Sequence, residues 1–589
     1  MKILCGLVLG LLIIVHQNEA IIVKISDGTI RGTSSLTRNL RRYYAFRGIP
    51  FAKPPIGELR FKDPQPPTPW GDHILNATAD VPNCIQIDYF AAFDPPVEGQ
   101  EDCLYLNVYT PAMHNKRSGK LPVMVYFFYG GFLAGSARSD VVGPEYLLDR
   151  DIVLVTVNYR VNVFGFFSLG NDDAAGNWGL KDQVLALEWV QKNIEKFCGD
   201  KNQITIFGDS AGAGSVHLHL FSPFSKGLFH RGISQSGSAL TFWAVPNNFV
   251  QIQNAKTQAD FVGCDSTASS KDIVSCLRKI PANVLMESTR RFKQVLIEPT
   301  VTFAIVTENR TSLNQKPFLE DSPINLLEKN EFYAVPWIFG VTEKEGIVKT
   351  GYILRNESYK SVFVNNFNDN LPILFGLGLS VSSSNMQLVV DALVDFYLNG
   401  DTNLSNIDSK EGFVDMTSDR FMIYGTYQSI LIQATKSKEP IWVYRYNYKS
   451  ELSYGDYFSF TSKPVNGTTG VSHTDDLVPL FYSPAIFNKG LSDPIDLMMS
   501  YHMIQMWTSF ATSGNPSLNN EFLQVNWKPL ENFYGKTKVR KSGIQYLYMQ
   551  GPNSDVQHPI KFEMRNDFFV ERMTFWDNLN LSSYHLQIV

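Results

Sequence analysis

Residues 208–212 read Gly-Asp-Ser-Ala-Gly, after an apolar, β-branched run at 203–207 and before a helix-like stretch. A serine therefore stands at a strand-to-helix turn between two glycines. Glycine at both flanks lets strand and helix approach closely, and the sharp turn lifts the Ser210 hydroxyl clear of the sheet. The same five-residue pattern arises by chance in long chains as a plain structural turn, so its surroundings have to decide what it is.

Three runs read as interior parallel strands, at 121–128, 151–157 and 203–207, with a helix-like segment at 180–196 between the last two. That alternation predicts an α/β fold, a large and mostly parallel sheet covered by helices on both faces. Sites in such sheets form at the carboxyl ends of strands. Gly130 and Gly131 follow the first run and Ser210 the third. No linker, repeat or charge block divides the 589 residues, so residues 21–589 are expected to form one domain. With 44% hydrophobic residues the chain can bury a sizeable core, and its net charge of −5 supplies no basic face for nucleic acid.

Lys2, an apolar run at 3–15 and a polar stretch ending at Ala20 have the layout of a secretory signal peptide, residues 1–20. The run is too short to span a bilayer comfortably, and no later segment reaches the roughly 20 apolar residues a membrane anchor needs. The expected destination is outside the cell. Loss of Cys5 with the signal leaves Cys84, Cys103, Cys198, Cys264 and Cys276. Pairing neighbours gives Cys84 with Cys103 and Cys264 with Cys276, each contributing ~3 kcal/mol in the chain-entropy model, although sequence alone permits other pairings. Cys198 is then left as a small buried thiol. Sequons stand at Asn76, Asn309, Asn356, Asn403, Asn466 and Asn580, and glycosylated ones must lie on the surface.

A nucleophilic serine needs a base, an acid that orients the base, and donors for the oxyanion, here expected in the order serine, acid, histidine. Beyond Ser210 the histidines are His217, His219, His230, His473, His502, His558 and His585. His217 and His219, two apart on a helix, face different ways and read as structural. His473 sits in a polar loop after a strand-like run at 440–446, and Asp321, Glu343 and Glu345 lie near another run at 337–342. Spacing does not rank the acids.

The chain resembles the type B carboxylesterases of the carboxylesterase and cholinesterase family, and more narrowly the secreted insect esterases of general ester hydrolysis. Blocks that carry the resemblance include Phe46-Arg-Gly-Ile-Pro, Gly57-Glu-Leu-Arg-Phe, Glu101-Asp-Cys-Leu, Asn158-Tyr-Arg, Gly179-Leu-Lys-Asp-Gln, Ser234-Gln-Ser-Gly and Phe510-Ala-Thr-Ser-Gly, and they run over nearly the whole mature chain. The resemblance implies the α/β-hydrolase fold, a triad of Ser210, Glu345 and His473, and an oxyanion hole from the backbone N–H groups of Gly130, Gly131 and Ala211. It also implies the two disulfides above, two-step acyl transfer to water, and no metal or organic cofactor.

Two departures stand out. Phe128 and Tyr129 occupy the places of the family's usual histidine and first glycine, so a positive φ at Tyr129 would strain the oxyanion loop. Cys198 stands where glycine is common. The segment between Cys84 and Cys103 holds Tyr89, Phe90 and Phe93 but no tryptophan, which argues against a choline-ester specialist. Asp209 replaces the glutamine usual in juvenile-hormone esterases, a mild argument against a hormone substrate. Expected partners are small-molecule esters, with dietary, lipid and odorant esters and xenobiotics including organophosphates as candidates. The other class is a catalytically weak or silent relative that binds or sequesters ligands.

Overall fold

The computed structural model describes residues 21–113, 119–311, 314, 316–460, 470–519, 524–531, 533–536, 544–552, 559–579 and 581. The signal segment 1–20, Asn466, Asn580, His558 and His585 lie outside them.

Thirteen strands form one sheet, numbered along the chain. β1 (Ile21–Ile25), β2 (Gly28–Leu36), β3 (Arg42–Pro50), β4 (Gly71–Asn76) and β5 (Tyr105–Thr110) make one wing. β6 (Leu121–Phe127), β7 (Val153–Val157), β8 (Gly199–Asp209), β9 (Arg231–Gln235), β10 (Trp337–Thr342) and β11 (Ile441–Tyr448) make the centre. β12 (Leu518–Asn519) and β13 (Gln524–Val525) pair separately, and β14 (Tyr546–Gly551) and β15 (Lys561–Arg565) close the far edge. The spatial order is β1-β2-β3-β5-β7-β6-β8-β9-β10-β11-β14-β15, with β4 beside β2. From β7 through β14 every neighbouring pair is parallel.

Parallel strands are covered on both faces, so they need apolar residues at every position rather than at alternate ones. Every residue of β6, β7 and β10 is buried accordingly. The run at 203–207 is the end of the longer β8, whose start is drawn into the sheet because Gly199 pairs with Leu121 of β6. The helix expected at 180–196 runs over Trp178–Asn193 and tightens into a 3₁₀ turn at Ile194–Phe197. Cys198, buried and outside both disulfides, ends that turn at φ 64°, a left-handed position that explains why glycine is common there. Both expected disulfides are present, Cys84–Cys103 and Cys264–Cys276. Among the described residues no helix is long and apolar enough to cross a membrane.

Candidate active site

Ser210 follows the last residue of β8 and caps the helix Ala211–Leu218, with φ 57° and ψ −119°. Backbone in that region costs a non-glycine residue ~1–3 kcal/mol and persists only where its surroundings fix it. They do so here. The Ser210 N–H donates to the Gln235 carbonyl at 2.8 Å, and its own carbonyl accepts from Gly214 N–H at 2.9 Å. A Cβ on Gly212 would stand 2.0 Å from the Phe127 carbonyl oxygen, and one on Gly208 would stand 2.6 Å from the same oxygen. The two flanking glycines are thus required by the close approach of helix to β6, as the sequence pattern implies.

The candidate acid and base come from the two loops after β10 and β11. His473 Nδ1 lies 2.6 Å from Glu345 Oε2, with both side chains buried. The other carboxylate oxygen accepts from Ser236 Oγ at 2.6 Å and from Thr342 N–H at 2.7 Å, so Glu345 cannot turn away. Gly346 after it is also required: a Cβ there would meet the Val414 carbonyl at 2.2 Å. The two loops are joined where Lys344 N–H donates to the Val471 carbonyl at 2.9 Å. Asp475 braces the histidine loop, its carboxylate accepting from the N–H groups of Ser472 and Tyr454 at 2.7 Å each.

Behind the imidazole stand further acids. Thr474, at φ 70°, donates its hydroxyl to Asp209 Oδ2 at 2.8 Å. Asp476 accepts from Gln235 Nε2 at 3.0 Å and from the Tyr444 hydroxyl. Burial alone would lower the His473 imidazole, but the Asp209 and Glu345 carboxylates outweigh it and hold the group above its ordinary value. Burial in turn pushes Asp209 well up, and the neighbouring imidazole pulls it back. A buried histidine kept basic in this way is suited to receive a proton.

Ser210 and His473 both line a small cavity of about 30 Å³, with Gly130, Gly131, Tyr129, Phe90, Trp243, Phe421 and Phe458 around them. Gly130 has φ 116° and Gly131 φ 62°, and a Cβ on Gly130 would lie 2.2 Å from the Ala134 carbonyl. Ala211 is the first residue of the helix, where backbone N–H groups have no intrahelical acceptor. The strain expected at Tyr129 is corrected. Tyr129 is not among the residues with positive φ; the left-handed conformations fall on Gly130 and Gly131 after it. Its ring meets Tyr454 edge-on at 5.7 Å, and the two hydroxyls lie 3.4 Å apart. Phe128 stacks on Tyr159 at 4.0 Å and faces Gly135, where a Cβ would come within 2.2 Å of the Phe128 ring.

The other candidates are used elsewhere. Glu343 holds Arg445 in a two-pronged pair at 2.5 and 2.6 Å, and Asp321 pairs with Lys329 at 2.7 Å. His217 bonds Gln433 at 3.0 Å, and His219 bonds Ser225 at 2.7 Å and Gln183 at 3.0 Å, the structural roles expected of them. Sequence reasoning gave no role to Ser236, Thr474, Trp243 or Phe421. Ser236 lay inside a recognised block, whereas Trp243 and Phe421 come from separate segments with no motif.

Strands β6, β8, β10 and β11 deliver all these groups to the same edge of a parallel sheet covered by helices, and the protein is an α/β-hydrolase. The model of the Carboxylesterase family matches residues 19–551. The chain belongs to that family and is a carboxylic ester hydrolase. It is 44% identical over 557 residues to juvenile hormone esterase of Tribolium castaneum, covering 94% of this chain and 93% of that one. A carboxylic ester hydrolase of Bombus ignitus is 35% identical over 99% of this chain and 98% of its own. The crystal structure of juvenile hormone esterase from Manduca sexta, with OTFP covalently attached, superposes with a TM-score of 0.80 at 26% identity, covering 95% of this chain and 99% of that one.

Proposed function

We propose that the protein hydrolyses carboxylic esters through an acyl-enzyme on Ser210. The observation that supports this is the 2.6 Å hydrogen bond between His473 Nδ1 and Glu345, in a pocket that also holds Ser210. His473 Nε2 takes the Ser210 proton as the hydroxyl attacks the ester carbonyl, and Glu345 stabilises the imidazolium and fixes its tautomer. The N–H groups of Gly130, Gly131 and Ala211 receive the oxyanion. His473 then protonates the departing alcohol, and a water activated by the same imidazole releases the acid. An activated aryl ester tests this: a burst of about one equivalent of phenol per protein, abolished in Ser210→Ala, is expected. Turnover with no burst, undiminished in Ser210→Ala, would rule the reading out.

A cavity of about 360 Å³ adjoins the catalytic pocket across Trp243, Val301, Lys349 and Phe421, and much of its wall is apolar, with Phe242, Phe292, Ile373 and Met386. It suits an ester with an extended apolar portion. The relatives named juvenile hormone esterase make a hormone ester the second reading, which side-by-side kcat/KM for juvenile hormone and simple aliphatic esters decides.

We further infer that the protein is secreted. The leader-like residues 1–20, the two disulfides and exposed Asn76, Asn309, Asn356 and Asn403 support this. Expression in insect cells should deliver it to the medium in a form that an endoglycosidase makes faster on a gel. Retention in the cytosol without glycan would refute it.

A further inference from the structure

Three arginines are buried among the described residues, Arg60, Arg160 and Arg420. Arg60 grips Glu101 at 2.6 and 2.7 Å, and Arg160 grips Asp182 at 2.7 and 2.8 Å. Arg420 is 7% exposed and pairs with no carboxylate of the described residues. Its Nε donates to the Phe375 carbonyl at 2.9 Å, one Nη donates to Ser380 Oγ at 3.4 Å, and the guanidinium lies 4.0 Å above the Phe242 ring. The adjacent Asp419 is engaged elsewhere, by Arg572 at 2.5 and 2.6 Å and by the Tyr397 hydroxyl at 2.5 Å. Two of five N–H donors used, and no counter-charge among the described residues, is an expensive state for a buried cation. Burial pulls its pKa down to about 9.

Arg420 lines a cavity of about 500 Å³. Among the described residues around the cavity it is the only one that carries a charge. The remaining wall is mixed, with Leu240, Val245 and Ile324 beside Thr241, Asn247 and Ser380. One fixed cation with apolar surface near it fits a single negative charge on a hydrocarbon body better than a small hydrated dianion. Phe242 and Pro246 form a wall shared with the 360 Å³ cavity, which in turn adjoins the Ser210 pocket.

Arg420 belongs to a π-helical turn, Asp419–Ile423, inserted between the helices Ile407–Ser418 and Tyr424–Lys436. Such turns are rare and are often found at functional sites. The next two residues in it, Phe421 and Met422, line the catalytic pocket. Trp243 ties in as well, its indole N–H donating to the Phe421 carbonyl at 2.8 Å.

We propose that the Arg420 cavity is a second binding site, for an aliphatic carboxylate, and that its occupancy is felt at the Ser210 pocket through Phe421 and Met422. The site itself does not depend on Ser210 being the nucleophile. Ester hydrolysis makes such a ligand, turning a neutral ester into an acid that ionises, and the cation selects for the acid.

Titration calorimetry on full-length Ser210→Ala protein, which removes turnover, tests the site with decanoate, decanol and inorganic phosphate. Decanoate should bind at least tenfold more tightly than decanol or phosphate. Adding Arg420→Met should weaken decanoate at least tenfold while leaving decanol unchanged, and Arg420→Lys should retain most of the affinity. Equal decanoate affinity with and without Arg420, or phosphate binding as tight as decanoate, would overturn the proposal. Melting curves of the unsubstituted protein keep the test open should Arg420→Met fail to fold: decanoate, and not decanol, should raise the midpoint, and an equal shift by both would overturn it.

Progress curves with methyl decanoate then separate the sources of the acid. Slowing that albumin relieves and Arg420→Met lacks is the result expected if the protein's own product fills the site. Linear curves would overturn self-supply and assign the site to acids from outside.

Discussion

At the scale of single residues, the chemistry depends on how a buried imidazole is kept basic. Glu345 orients His473, and Asp209, tied to the same loop by Thr474, is the first of the groups that raise the imidazole. The acid limb of kcat/KM should therefore lie above the ordinary imidazole value of about 6.5. The base works only when neutral, so activity falls as pH drops through that raised value. Asp209→Asn removes the group that most raises the imidazole and should move the limb to lower pH; a pH–rate profile with the limb unmoved or raised would contradict this. Tyr129 gives a contrasting expectation. Because it lies outside the left-handed region and packs on Tyr454, Tyr129→Gly should leave kcat no higher than in the parent and lower the melting temperature. A several-fold rise in kcat would show that the tyrosine does strain the oxyanion loop.

Among the elements, the nucleophile turn is where the sequence is most legible, because each of its constraints is local. Two glycines beside a serine imply a helix pressed against β6, and the 2.0 Å clearance at Gly212 is that implication made physical. Gly212→Ala should cost about 2–4 kcal/mol of unfolding free energy, read as a lower denaturant midpoint, and abolish most activity. An unchanged midpoint would mean that helix and strand can separate without penalty. The recognised blocks proved to be buried polar joints: Arg160 of Asn158-Tyr-Arg reaches Asp182 of Gly179-Leu-Lys-Asp-Gln, and Arg60 reaches Glu101. What stayed illegible has no local signature. The π-helical turn at 419–423 looks like ordinary helix in the sequence, and the ranking of Glu345 over Glu343 turned on resemblance. Geometry separates those two because Arg445 of β11 claims Glu343, whereas Glu345 reaches the His473 imidazole.

For the whole molecule, the central sheet has to bring Ser210, Glu345 and His473 together from three loops spread over more than 260 residues of chain. Parallel strand order makes this possible, since β8, β10 and β11 all end at the same edge. On the proposed reading Ser210 is the hydroxyl that has both a base and oxyanion donors beside it. The most direct test is to label the folded protein with an organophosphate and map the adduct by peptide mass. One equivalent on Ser210, lost when the protein is unfolded before labelling and greatly slowed in His473→Ala, is the predicted result. An adduct mainly on another residue, or labelling of Ser210 at an equal rate without His473, would contradict the account.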